Sequence, residues 1–184
     1  MTLSPLLADP LPASAPARRP SGAAALAVAL TLRTDLWAPL VQYREEARWS
    51  SLIDPAAAAK VLDPALHPEL ADAQVWLLSW LPGQGTDLHD HGPSAGAFAV
   101  ARGTLTERVV AARSRESVRQ DTTDLAAGRV RYFGPHYVHQ VTNVLPEPAV
   151  SLHVYAPALR WMNTYRLDRG TLVRTGTERA GVDW

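Results

Sequence analysis

The sequence contains no cysteine. That removes disulfides, thiolate metal ligands, cysteine nucleophiles and iron–sulfur clusters together, and leaves His, Asp and Glu as the strong ligands for any metal ion. Net charge is equally absent: eighteen Lys and Arg balance eighteen Asp and Glu, so the basic surface that nucleic acid or an anionic membrane demands is missing. Lysine is reduced to Lys60, and the arginines are scattered rather than gathered into a stripe. The apolar run Ala23 to Leu32 is far shorter than the roughly 20 residues that cross a bilayer, and although Arg18-Arg19 precedes it, no small-residue cleavage site follows. The expectation is a cytoplasmic monomer with no nucleic-acid or membrane partner.

What is present is an ordinary globular composition, 47% hydrophobic and 20% charged over 184 residues, enough for one domain. Five prolines within residues 1–22 suggest a disordered Pro/Ala-rich arm. Residues 23–72 read as helices packed on the rest. Apolar residues recur at helical spacing through Thr34 to Ile53, Asp54-Pro55 has the form of an N-cap with proline at the first helical position, and Asp63-Pro64 ends that run. From residue 73 to 184 the pattern becomes short β-type runs: Val75 to Trp80, Ala97 to Ala101, Thr104 to Val110, Arg129 to Phe133, Val138 to Val144 and Ala149 to Tyr155. Met162 to Leu167 and Thr171 to Arg174 form a closing hairpin about Asp168-Arg169-Gly170. Many short strands with such punctuation predict an all-β small barrel or jelly roll beneath an N-terminal helical layer.

His89 and His91 are two apart, so in an extended segment both rings leave the same face while Asp90 points away. Ser151, His153 and Tyr155 alternate with Leu152 and Val154, which gives that strand one polar and one apolar face. A polar face turned into a barrel must find hydrogen bonds, either among its own members or with something bound there. His67, in a turn, reads as a surface residue, and Asp87 shares the parity of His89 as a possible carboxylate ligand.

Gly83, five residues, His89-Asp90-His91, four residues, Gly96, six residues and Gly103 resemble the first motif of the cupin superfamily, with Gly96 in place of its usual glutamate. Gly128, His139 and Asn143 resemble the second motif, although Gly134 and His136 replace its usual Pro and Gly. Within the superfamily the chain most resembles the cysteine dioxygenase family of thiol dioxygenases, of the bacterial type. The likeness rests on Leu78-Ser79-Trp80-Leu81-Pro82-Gly83-Gln84-Gly85-Thr86, on the three histidines, on Asn143-Val144, and on Pro148-Ala149-Val150-Ser151-Leu152-His153-Val154-Tyr155.

The resemblance implies a cupin barrel holding one Fe(II) through His89, His91 and His139, with His136 a weaker rival for the third position. It implies a relay of Tyr155, His153 and Ser151 beside the metal, and oxidation by O2 of a small thiol, L-cysteine above all or 3-mercaptopropionate, to its sulfinate. Three neutral imidazoles leave a divalent ion its full charge, which suits direct coordination by a thiolate. Two departures stand out. The mammalian-type members carry a cysteine at the position of Gly96, linked to the relay tyrosine; its absence here resembles the bacterial members and implies an unmodified Tyr155. The family's Tyr-x-Arg, whose arginine holds the substrate carboxylate, should lie near Arg48-Trp49-Ser50-Ser51-Leu52-Ile53 and is absent or displaced; Arg48, Arg160 and Arg166 are the candidate substitutes. The rivals are a zinc or manganese cupin isomerase or hydrolase using Asp87 or Glu107 as base, and a non-catalytic metal-binding or sensing cupin.

Overall fold

The computed structural model describes residues 22–112 and 117–182; most of the expected N-terminal arm lies outside them. Among the described residues, eleven strands form two antiparallel sheets: β1 (Trp49–Leu52), β2 (Gln74–Trp80), β3 (Leu88–Asp90), β4 (Ala95–Arg102), β5 (Thr104–Ala112), β6 (Val118–Ala126), β7 (Val130–Phe133), β8 (Val138–Thr142), β9 (Ala149–Ala156), β10 (Trp161–Asp168) and β11 (Thr171–Arg179). The first sheet runs β1-β2-β9-β4-β7 and the second β11-β10-β3-β8-β5-β6. This is the expected all-β cupin barrel.

Alternation along β2, β4 and β9 explains why both faces of the first sheet are buried. Val75, Leu77, Ala97, Ala99, Leu152 and Val154 face outward and pack under α1 (Gly22–Thr31), whose Leu26, Ala27 and Leu30 are fully buried. Each fully buried leucine there contributes about 1.5–3 kcal/mol. Trp76, Leu78, Trp80, Phe98 and Tyr155 face inward and meet Leu105, Val141 and Met162 of the second sheet.

The helical layer differs from expectation in one place. Only α2 (Thr34–Trp37) and a 3-10 turn at Ala38–Leu40 are helical between Thr34 and Ile53; the segment ends as β1, paired with β2 so that Trp49 faces Ser79 and Leu52 faces Trp76. The helical spacing of Trp37 and Leu40 stops at this short turn, and the open edge of β2 captures the following Trp-Ser-Ser-Leu as an added strand. Asp54 caps α3 (Pro55–Val61) through the Ala56 N–H at 3.0 Å, and Asp63 caps the next turn through the Ala65 N–H at 2.9 Å. After α4 (His67–Ala71) the chain enters the barrel.

Candidate metal centre and relay

Register brings the three histidines together. β3 and β8 are neighbours in which His89 lies directly opposite His139, and the period of two turns His91 to the same side as His89. All three are buried, and one ring nitrogen from each lies within 4.8 Å of the others, so the group can hold a metal ion. The free nitrogens support that reading. His89 Nδ1 donates to the Asp87 carbonyl at 2.9 Å and His139 Nδ1 donates to Glu107 Oε1 at 2.8 Å, which leaves the Nε2 lone pair of each ring available. His139 Nε2 and His91 Nδ1 are buried without a hydrogen-bond partner, as an atom awaiting a metal would be. Burial, reinforced by the neighbouring histidines, holds His89 and His91 well below the ordinary imidazole pKa and so in the neutral form a metal needs.

Asp90, between His89 and His91, is directed away and pinned: it accepts from the Gly92 N–H at 2.9 Å, Asn163 Nδ2 at 2.9 Å and the Tyr165 hydroxyl at 2.6 Å. That ties the His-Asp-His strand to β10. Gly96 also has a clear reason. It lies opposite Tyr155 on β9, and a Cβ there would come within 1.9 Å of the Val154 carbonyl oxygen, so neither the cupin glutamate nor a cysteine fits without moving the backbone.

Ser151, His153 and Tyr155 all point into the barrel and are buried. Trp80 Nε1 donates to Ser151 Oγ at 2.9 Å, and Ser151 Oγ lies 2.9 Å from His153 Nε2. An indole N–H only donates, so Ser151 Oγ accepts from it and keeps its own proton available for Nε2. In the tautomer where Ser151 gives that proton to Nε2, the imidazole proton sits on Nδ1, 3.5 Å from the Tyr155 oxygen, and the Tyr155 proton is free to point into the cavity. Burial, with His139 and Arg48 adding to it, pushes His153 down to about 3, and burial raises Tyr155 above the usual phenol range, so both are neutral.

The chamber beside the histidines is small, about 20 Å³, bounded by Trp80, His153, Tyr155, Arg48 and Met162. Outside it lies a mouth of about 360 Å³ lined by Arg48, Thr86, Asp87, Gln140, Thr164 and Glu178. Arg48, just before β1, reaches both spaces, its guanidinium carbon 5.8 Å from the centre of a Trp80 ring. Burial lowers its pKa, while Tyr155, Glu178 and Asp87 oppose that shift.

Of the other candidate residues, Arg160 and Arg166 are exposed and line neither space, Arg166 being paired with Asp168 at 3.3 Å. His136 is exposed in a left-handed turn with φ 61° and stands outside the histidine group. His67 is half-buried on α4, with Nε2 3.1 Å from the Ala59 carbonyl, and Asp87 lies at the mouth rather than within the histidine group. Sequence reasoning reaches Glu107 only as a base. The structure finds it fully buried and bonded to His139, Arg131 and Tyr137, and it shares the parity of the buried Leu105, a charged residue at an inward position.

The family model for cysteine dioxygenase type I matches residues 69–168, which spans β2 through β10 and all three histidines. The chain belongs to the cysteine dioxygenase family. Human cysteine dioxygenase type 1 is 34% identical over 86 residues, covering 44% of this chain and 43% of its own length, and the bovine protein of that name is 33% identical over the same extent. The chain thus spans less than half the length of these curated relatives of the cysteine dioxygenase family. Among solved structures, a protein of Thermus thermophilus aligns with a TM-score of 0.49 at 21% identity, covering 66% of this chain and 93% of its own. A Klebsiella pneumoniae protein with a double-stranded β-helix domain aligns at 0.48 and 20% identity, covering 77% and 94%.

Proposed function

We propose that this chain is a non-haem Fe(II) thiol dioxygenase that oxidises a small thiol, L-cysteine above all, to its sulfinate with O2. The observation that carries the reading is the buried triad of histidines, with unpartnered ring nitrogens on His91 and His139, set against the Trp80–Ser151–His153–Tyr155 hydrogen-bond chain. Bound by His89, His91 and His139, an Fe(II) ion would supply a site for the thiolate and for dioxygen; the net reaction converts RSH and O2 to RSO2H, so both oxygens end on sulfur.

The residues around it have separate tasks. Tyr155 offers its hydroxyl proton into the chamber, where it steadies negative charge that develops on the substrate's sulfur and oxygen atoms. His153, held by Ser151 and ultimately by Trp80, keeps that hydroxyl pointed inward. Phe98 stacks on the His153 ring at 5.0 Å between centroids and an interplanar angle of 13°, which fixes the imidazole plane. Arg48 takes the substrate carboxylate in its planar fork.

Charge at the mouth favours an amino acid over a simple acid. Arg48 shares it with Asp87 and Glu178, so a carboxylate and an ammonium each meet an opposite charge there. This supports L-cysteine over 3-mercaptopropionate. Oxygen uptake by the anaerobically iron-loaded protein tests the reading: consumption with L-cysteine exceeding that with 3-mercaptopropionate is expected, and no consumption with either thiol by protein that holds iron would overturn it in favour of a sensing cupin.

A further inference from the structure

We propose that Glu107 is a positioning residue for the metal centre, acting through His139 and contributing at one remove the negative charge that is missing at Gly96. The inference rests on the three-histidine reading above and deepens it. Glu107 projects inward from β5, two residues along the register from the position opposite His139 on β8. Its Oε1 accepts from His139 Nδ1 at 2.8 Å, and its Oε2 accepts from Arg131 Nε on β7 at 2.6 Å. The Tyr137 hydroxyl donates to Oε1 at 3.3 Å.

Two features separate this from mere satisfaction of a buried acid. The first is which nitrogen is engaged: binding Nδ1 forces the tautomer in which the His139 Nε2 lone pair is free, and Nε2 is the buried atom without a partner. The second is the charge. His89 donates to a backbone carbonyl, whereas His139 donates to a carboxylate, which makes its other nitrogen a stronger electron donor. Arg131 sits in the opposite sheet and is about one-third exposed, so it tethers the carboxylate from outside and hydrates readily when the pair is broken.

The test uses the full chain in metal-free form, titrated anaerobically with Fe(II) against a chelator, and compares wild type with Glu107→Gln. Glutamine preserves size and can still accept from Nδ1 but carries no charge. The expected result is a 10- to 100-fold weaker Fe(II) affinity in a variant that still folds. Equal affinity in the folded variant overturns the proposal. Nitrogen-15 NMR of the wild-type metal-free protein gives a second test that needs neither the variant nor the metal: His139 should carry its proton on Nδ1, and a proton on Nε2 would refute the role of Glu107. Wild type that shows the Nδ1 tautomer but binds no Fe(II) would instead refute the metal centre and leave the Glu107 contact as barrel architecture.

Discussion

Ser151 Oγ and His153 Nε2 lie 2.9 Å apart on the same face of β9, and that bond sets which ring nitrogen of His153 faces Tyr155. None of these groups belongs to the histidine triad. Tyr155→Phe and His153→Ala are therefore expected to retain iron while losing about 100- to 1,000-fold in kcat/KM, the cost of removing an oriented donor from a developing charge. Iron content and steady-state kinetics on one preparation check this, and unchanged kinetics in both variants would reduce the strand to packing. Ser151→Ala frees the His153 tautomer and should fall between wild type and Tyr155→Phe.

Arg48 is the cation that lines both the chamber and its mouth, while Arg160 and Arg166 do not reach either. Arg48→Ala is expected to raise KM for L-cysteine about 10- to 100-fold, the loss of a charge-assisted pair worth roughly 1.5–3 kcal/mol. Arg160→Ala and Arg166→Ala should leave KM within about twofold, as exposed substitutions do. A rise in KM in either of those variants, with Arg48→Ala unaffected, would take the carboxylate away from the mouth that Arg48 lines.

The buried histidines make stability depend on pH in a definite direction. His153 is pushed down to about 3 in the folded protein, so an unfolded chain with an ordinary imidazole binds its proton first. Its contribution is complete above about pH 6.5 and is lost progressively as the pH falls toward 3, at up to about 1.4 kcal/mol per pH unit. His89 and His91 shift in the same direction. Urea unfolding of the metal-free protein at pH 7, 6 and 5 should show this fall, and His153→Gln should make it shallower by one proton's worth. An equal slope in the variant would contradict the burial account.

Gly96 is held by close approach of β4 to β9. Gly96→Cys, which adds a Cβ where the Val154 carbonyl oxygen lies 1.9 Å away, should destabilise the protein by about 1–3 kcal/mol through overpacking. Thermal unfolding of the reduced variant measures it; a midpoint equal to wild type would mean that the strands part easily.

Much of the barrel is legible in the sequence because its strands are buried on at least one face and bounded by Gly, Pro, Asn and Asp. β9 alternates Ser151-His153-Tyr155 with Leu152-Val154, and that period survives intact in the fold. β6 escapes such reading because it is an edge strand whose Arg-Gln-Asp-Thr-Thr-Asp stretch is exposed along both faces, leaving no alternation to follow. β1 reads as helix because it is an edge strand of four residues, and only pairing with β2 defines it. The His-x-His pair is visible from spacing alone. His139 needs a motif, since only the register between β3 and β8 brings it opposite His89. The bonding role of Glu107 has no local signal beyond a charge at an inward position, because its partners come from a different sheet and a later loop.

If the histidine triad supports insertion of both atoms of dioxygen into a bound thiol, the product carries the record of it. The most direct measurement is mass spectrometry of the product formed by iron-loaded protein from L-cysteine under 18O2. Cysteine sulfinate carrying two 18O atoms is expected from wild type, and none of it from the His139→Ala variant. Sulfinate carrying solvent oxygen, disulfide as the sole product, or undiminished labelled sulfinate from His139→Ala would contradict it.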